Sequence, residues 1–252
     1  MPLTKRRRLF AARTVALGAA ILLRGRARAF AWTVHEILRI GPTLVRNGDW
    51  YGPVATGFET QEREVWLTID DGPEPSQTPG VLEQLERHGA RASFFVVGRK
   101  VDWARALARR IVEAGHSLEN HTYNHFAGAF WAAPPCAVRS EIVRCSHAIR
   151  VATGRDARWF RSPAGLTNSS VHPIAARSWL RIAGWSASGG DGLPGREPAE
   201  VAERLMARVR PGAILLLHEG RGREPVAVLE HLLPRLAESG YRCVLPGPAT
   251  VV

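Results

Sequence analysis

From residue 63 onward, short β-branched or aromatic runs alternate with longer amphipathic stretches, and this alternation admits few folds. The runs lie at 65–69 (VWLTI), 92–97 (ASFFVV), 116–119 (HSLE), 158–161 (RWFR), 181–186 (RIAGWS), 213–218 (AILLLH) and 241–245 (YRCVL). Helical patterns fill the gaps at 78–88, 102–114, 136–152, 171–180, 198–209 and 224–238. Pro79 and Pro198 stand in the first turn of such patterns, where a missing N–H costs nothing. Gly89, Gly115 and Gly240 directly follow others, where a left-handed cap favours glycine. Strand–helix alternation repeated in this way predicts a parallel sheet, open or closed into a barrel. No internal repeat or low-complexity linker follows residue 60, so one α/β domain over 63–248 is expected.

Charge is unevenly placed. Residues 1–50 hold ten Lys/Arg against Glu36 and Asp49, a net of +8, leaving +3 of the chain's formal +11 for the rest. The basic character therefore belongs to the leader, which argues against a nucleic-acid groove spread over the domain. Cys136, Cys145 and Cys243 are three, far apart and without C-x-x-C spacing, a count that fits buried free thiols better than a disulfide framework or a thiolate zinc site.

Residues 1–45 form a basic, partly apolar leader whose uninterrupted apolar stretch, Thr14–Leu23, is too short to span a bilayer as a helix. A signal peptide would have this layout, with Ala27-Arg28-Ala29 as a cleavage site and Arg6-Arg7-Arg8-Leu9-Phe10 similar to a twin-arginine signal. An in-plane helix on anionic lipid fits as well, its apolar face extended by Phe30, Val34, Ile37 and Leu38. A disordered basic arm is the plain alternative. The expectation is membrane association at a bacterial-type cell envelope, with the side of the membrane open.

The strand ends carry the chemistry. The first run closes on Asp70-Asp71, inside "LTIDDGP"; the third leads into "ENHTYNH" with His121 and His125; the fourth ends at Arg161; Asp191 follows the fifth; the sixth ends at His218. Asp-Gly-Pro alone reads as a turn. In parallel barrels, however, active sites collect at the C-terminal ends of several strands. His121 and His125 would share one face if their stretch is a helical turn, a spacing used by two-histidine metal sites. One carboxylate added to two imidazoles leaves a coordination position open, the pattern of catalytic rather than structural zinc. The remaining histidines read as structural or surface residues.

"TIDDGP", "HTYNH", "RSPAG", "SGGDG" and "LLLH", in that order, resemble the motifs of the polysaccharide deacetylase family (NodB homology, carbohydrate esterase family 4). The resemblance covers about residues 63–245 and implies a distorted parallel (β/α) barrel of about seven units. It implies that Asp71, His121 and His125 bind a divalent metal, expected to be zinc, and that Asp70 is the general base. It further implies that Arg161 pairs with Asp70 and that His218, supported by Asp191, is the general acid. Leu216 would border the acetyl methyl and the Ala164 backbone N–H would hold the oxyanion. The expected substrate is an N-acetylated amino sugar in an envelope glycan or glycolipid. Deformylation of a lipid-linked amino sugar and an inactive carbohydrate-binding barrel are the alternatives.

Two departures from the family pattern stand out. Ser188 and Gly192 replace an Asp and a pocket Trp, and Ala164 replaces an aromatic. Both remove bulk, which predicts a wider cleft, with Phe126, Phe130 and Trp131 as candidate wall residues.

Overall fold

The computed structural model describes residues 41–192, 195–220, 222–247 and 250–251. The leader up to Ile40, with its expected in-plane helix and cleavage site, lies outside the described residues. Gly41–Leu44 form one 3-10 turn, and residues 45–252 make a compact unit of their own. No helix among the described residues is long and apolar enough to cross a membrane.

The unit is built on β1 (Glu64–Asp70), β2 (Ala92–Val96), β3 (Ser117–Asn120), β4 (Trp159–Phe160), β5 (Arg181–Ile182), β6 (Ala187–Ser188), β7 (Ala213–His218) and β8 (Arg242–Cys243). Every strand pairing is parallel, in the order β5-β4-β3-β2-β1-β7-β6, with β8 beside the start of β1. The fifth run of the sequence is not one strand. Its beginning pairs with β4, and a few residues later Ser186 N–H bonds Ile214 O and Ala187 pairs with Leu215 of β7. A single passage of chain thus bridges the two edges of a curled sheet. Residues 53–58, which the sequence pattern places ahead of the domain, also join it: Ala55 bridges Ala183 and Phe58 bridges Val251.

The connections are α1 (Thr78–Arg87), α2 (Gly98–Trp103), α3 (Arg105–Glu113), α4 (Pro135–Thr153), α5 (Val171–Arg177), α6 (Pro198–Met206) and α7 (Pro225–Glu238). The stretch expected to be one helix over 102–114 breaks at Ala104, with an added helix, α2, before it. Gly89, Gly115 and Gly240 all take the left-handed conformation expected of them (φ 59°, 85° and 76°).

Strand periodicity sorts the core into two layers. Val65, Leu67 and Ile69 of β1 pack outward with the helices, alongside Phe94, Leu215 and Leu217. Trp66, Phe95, Trp159 and Ile214 point inward and form a smaller cluster within the curl. Both faces of the sheet are buried, as parallel strands covered by helices require. The inward phase continues along the strands to Thr68 and Asp70, to Leu216 and His218, and to Arg161 just past β4. The inside of the curl is therefore aromatic at mid-height and polar at the C-terminal end.

Candidate active site

Arg161 anchors the polar end. Its guanidinium is fully buried over the Phe95 ring, at 4.1 Å from the centroid. Nη1 donates to Asp70 Oδ1 (2.7 Å) and Thr68 Oγ1 (2.8 Å), and Nη2 donates to Gly184 O (2.7 Å). Burial draws the guanidinium below its usual range, and the Asp70 carboxylate opposes that loss. Asp70 is thereby fixed in orientation, with Oδ2 facing His121 Nε2 at 3.7 Å.

Asp71 reaches the same place by another route. Strand alternation alone would send neighbouring side chains to opposite faces. Asp71 takes a left-handed backbone (φ 73°), which returns its carboxylate to the inner side. Oδ1 lies 3.0 Å from His125 Nε2 and 3.5 Å from His121 Nε2, while Oδ2 accepts from Arg223 Nη1 at 2.8 Å. Gly72 follows because a Cβ there would run into the buried Glu219 carboxylate.

His121 and His125 do not lie on a helical turn. They sit in a loop in which Thr122 and His125 are left-handed (φ 69° and 59°), and the ring centroids are 4.8 Å apart. The loop is held by Thr122 N–H to Asn120 Oδ1 (2.9 Å) and by Asn124, whose N–H and Nδ2 both donate to Glu141. Left-handed backbone is uncommon for residues with a Cβ and marks strain maintained for a purpose. Of six such described residues, Asp71, His125 and Ala164 line one cavity.

Asp71, His121 and His125 each present a donor atom, all within 4.8 Å of one another. Their chemistry suits a divalent ion. Asp71 Oδ1 is buried with no hydrogen-bond partner. His121 Nδ1 faces the Arg161 carbonyl at 2.8 Å, and since a carbonyl only accepts, Nδ1 is the donor and Nε2 is the nitrogen turned toward Asp71. Burial and the neighbouring His121 push His125 down to about 4, so its imidazole is neutral near pH 7. Burial alone would raise the Asp71 carboxyl, but His121, with His125 and His218, outweighs it and holds the group well below the carboxylate range.

His218 stands at the end of β7, paired in register with Asp70. Asp191 accepts from the His218 backbone N–H (2.6 Å) and lies 3.2 Å from its Nδ1. That carboxylate fixes Nδ1 as a donor and turns Nε2 toward the cavity. Burial lowers the imidazole, but Asp191, with Asp70 and Asp71, reverses the shift and raises it above the ordinary histidine value.

The cavity holds about 280 Å³, and Leu216 and Ala164 are among the residues that line it. Arg161 and Asp191 lie behind its wall. Gly192 lies against His218, where a Cβ would sit 3.2 Å from the ring, so the missing bulk is adjacent to that imidazole. Of the proposed aromatic wall, Phe130 is instead core, packed on Phe160, and neither Phe126 nor Trp131 lines the cavity. Arg46, Trp185 and Arg223 do line it, and sequence reading missed all three. Trp185 was visible as an aromatic in the fifth run; Arg46 and Arg223 carried no motif signal. A second depression, about 330 Å³, opens among Ser93, His116 and Glu119 at the starting ends of the strands, away from these groups.

The sequence profile of the polysaccharide deacetylase family matches residues 58–182. A chitooligosaccharide deacetylase from Bradyrhizobium sp. (strain ANU 289) is 36% identical over 194 residues, covering 71% of this chain and 87% of the relative. The chain belongs to the polysaccharide deacetylase family. Within it, a peptidoglycan-N-acetylglucosamine deacetylase from Bacillus cereus is 30% identical over 205 residues, covering 75% of this chain and 91% of its own length. A crystal structure described as a CE4 family pseudoenzyme from Bacillus anthracis superposes with a TM-score of 0.68 at 28% identity, over 75% of this chain and 65% of that one. The curled parallel sheet is therefore the family's fold, and the five motif segments of this chain meet at one end of it.

Proposed function

We propose that this protein is a metal-dependent hydrolase that removes an N-acetyl group from an amino sugar in a cell-envelope glycan or glycolipid. The observation that carries this reading is the convergence on one cavity of Asp70, Asp71, His121, His125 and His218. Asp71, His121 and His125 would hold the ion, with zinc the best match to two imidazoles and one carboxylate. A divalent ion there supplies an acidified water and a Lewis-acid contact to the amide oxygen.

The chain's own groups do the rest. Asp70, kept in place by Arg161, accepts the proton of the attacking water as oxygen adds to the carbonyl carbon. The Ala164 N–H donates to the developing oxyanion, where one donor is worth roughly 3–4 kcal/mol. His218 delivers a proton from Nε2 to the sugar nitrogen as the C–N bond breaks, yielding acetate and a free amine. Asp191 keeps that imidazole protonated and aimed, and Leu216 packs on the acyl methyl.

The relatives named as chitooligosaccharide and peptidoglycan deacetylases support an N-acetylated glycan acceptor. Removal of a formyl or acetyl group from a lipid-linked amino sugar is a second reading. It is favoured by the basic leader, which would hold the protein on an anionic membrane at the cell envelope. An inactive binding barrel accounts less well for the intact set of Asp70, Asp71, His121, His125, Arg161 and His218. The deciding experiment measures acetate and formate release from envelope glycans and lipid-linked amino sugars, with and without chelator. Chelator-sensitive release is expected, and no release from any acceptor would overturn the proposal.

A further inference from the structure

One wall of the cavity comes from residues just before the sheet and has no part in the chemistry above. Asn47 has a left-handed backbone (φ 54°), and its N–H donates to Gly165 O at 2.9 Å. Its Nδ2 donates to Trp185 O at 3.0 Å. Two glycines make room for it: a Cβ at Gly184 would lie 2.7 Å from the Asn47 carboxamide, and one at Gly165 would lie 3.1 Å from Asn47 Oδ1. This clamp fixes the backbone of the preceding residue, Arg46, beside the Ala164 turn. Arg46 lines the same cavity as Asp70, Asp71 and His218.

Charge at this cavity is otherwise spoken for. Asp70 is paired with Arg161, and Asp71 with Arg223. Asp191 is committed to His218. Arg46 makes no ion pair or hydrogen bond among the described residues, so it stands at the rim as a surplus cation on an anchored backbone. A solvated surface arginine needs no such anchor. A guanidinium's planar fork suits a phosphate or carboxylate, which it can grip with two hydrogen bonds.

We propose that Arg46 is a specificity-determining residue that binds an anionic substituent, a phosphate or a carboxylate, carried by the substrate beside its N-acylated sugar. The inference rests on reading this cavity as the deacetylase site and adds the charge of the acceptor to it. Neutral chitin-type oligomers would be turned over without help from Arg46. Acceptors bearing a phosphate or a carboxylate would gain affinity from it.

The test compares the metal-loaded full chain with its Arg46→Ala, Arg46→Lys and Arg46→Glu variants. The acceptors are triacetylchitotriose (neutral), N-acetylglucosamine 1-phosphate and N-acetylmuramic acid. For Arg46→Ala, KM should rise about tenfold on at least one anionic acceptor while kcat stays within about twofold, the size expected of a charge-assisted contact. KM for the neutral acceptor should stay within about twofold. Arg46→Glu should lose more, Arg46→Lys should recover part of the loss, and added salt should shrink the difference. The acceptor whose KM depends on Arg46 identifies phosphate or carboxylate as the partner. Equal changes on neutral and anionic acceptors, or no change on either, would overturn the proposal. If no acceptor is turned over, the equilibrium Kd values of the two anionic sugars and of N-acetylglucosamine decide independently. A tenfold weakening by Arg46→Ala confined to an anionic sugar upholds the anion site although the deacetylase reading has failed. Equal Kd values in both proteins reject the anion site.

Discussion

Replacing Arg161 by methionine tests how the interior of the curl is held. The side chain donates to Asp70, Thr68 and Gly184, so its loss strands a carboxylate that is 3% exposed and removes a donor from a buried carbonyl. Breaking one partner out of a buried ion pair costs about 3–5 kcal/mol, and a buried hydrogen-bonding group left unmet adds about 1 kcal/mol or more. A total near 5 kcal/mol is comparable with the whole stability of many domains. Arg161→Met should therefore be marginally folded. The informative quantity is the double-mutant cycle with Asp70→Asn, measured by urea unfolding at pH 7. With the carboxylate gone, the Asp70→Asn/Arg161→Met protein should be more stable than Arg161→Met alone. The coupling energy should be about 2–3 kcal/mol. Additivity within about 0.5 kcal/mol, or a single-variant cost below about 1 kcal/mol, would refute the view that the pair organises this end of the barrel.

Other consequences are equally specific. His218→Ala should lower kcat by about 10²–10⁴ with metal content unchanged, since it removes a general acid and no ligand. Because Asp191 raises the His218 pKa, Asp191→Asn should move the alkaline limb of the kcat–pH profile to lower pH; an unmoved limb would contradict that pairing. Glu119, buried and accepting from the N–H groups of Arg158 and Trp159, has its carboxyl pushed up by burial from 4.5 to about 7. A carboxyl with a raised folded pKa destabilises when ionised, so its contribution is fully favourable below pH 4.5 and is lost as pH rises through about 7. Glu119→Gln should flatten the stability–pH curve over that range and gain at most about 3 kcal/mol at pH 8, measured by urea unfolding. Parallel curves for the two proteins would contradict the assignment.

What could be read in the sequence followed from periodicity and punctuation. The first run at 65–69 and the sixth at 213–218 are uninterruptedly apolar but for Thr68 and His218 and are bounded by turn residues, and both became central strands. The 181–186 run was legible as β but not as a bridge, because its two pairings depend on the curl of the whole sheet. The break at Ala104 left no proline or glycine to mark it. In the site, the motif order brought Asp70, Asp71, His121, His125, Arg161, Asp191 and His218 into view. The left-handed backbone at Asp71 and His125 did not show: aspartate and histidine take a positive φ more often than most residues, but still too rarely for the sequence to mark where. Arg46 and Arg223 were hidden for a related reason: their place at the cavity is set by the bond from Asn47 N–H to Gly165 O and by that from Arg223 Nη1 to Glu219 O, which only the folded chain defines.

The central claim is the division of labour between the two adjacent aspartates. Asp70 makes its ion pair with Arg161, while Asp71 alone offers an unpartnered buried oxygen to the two histidines. Metal content and acetate release measured together on Asp70→Asn and Asp71→Asn test this most directly. Asp70→Asn should retain the metal and lose turnover by about 10²–10⁴, and Asp71→Asn should lose the metal itself. Equal metal loss in both variants, or full turnover in Asp70→Asn, would contradict the account.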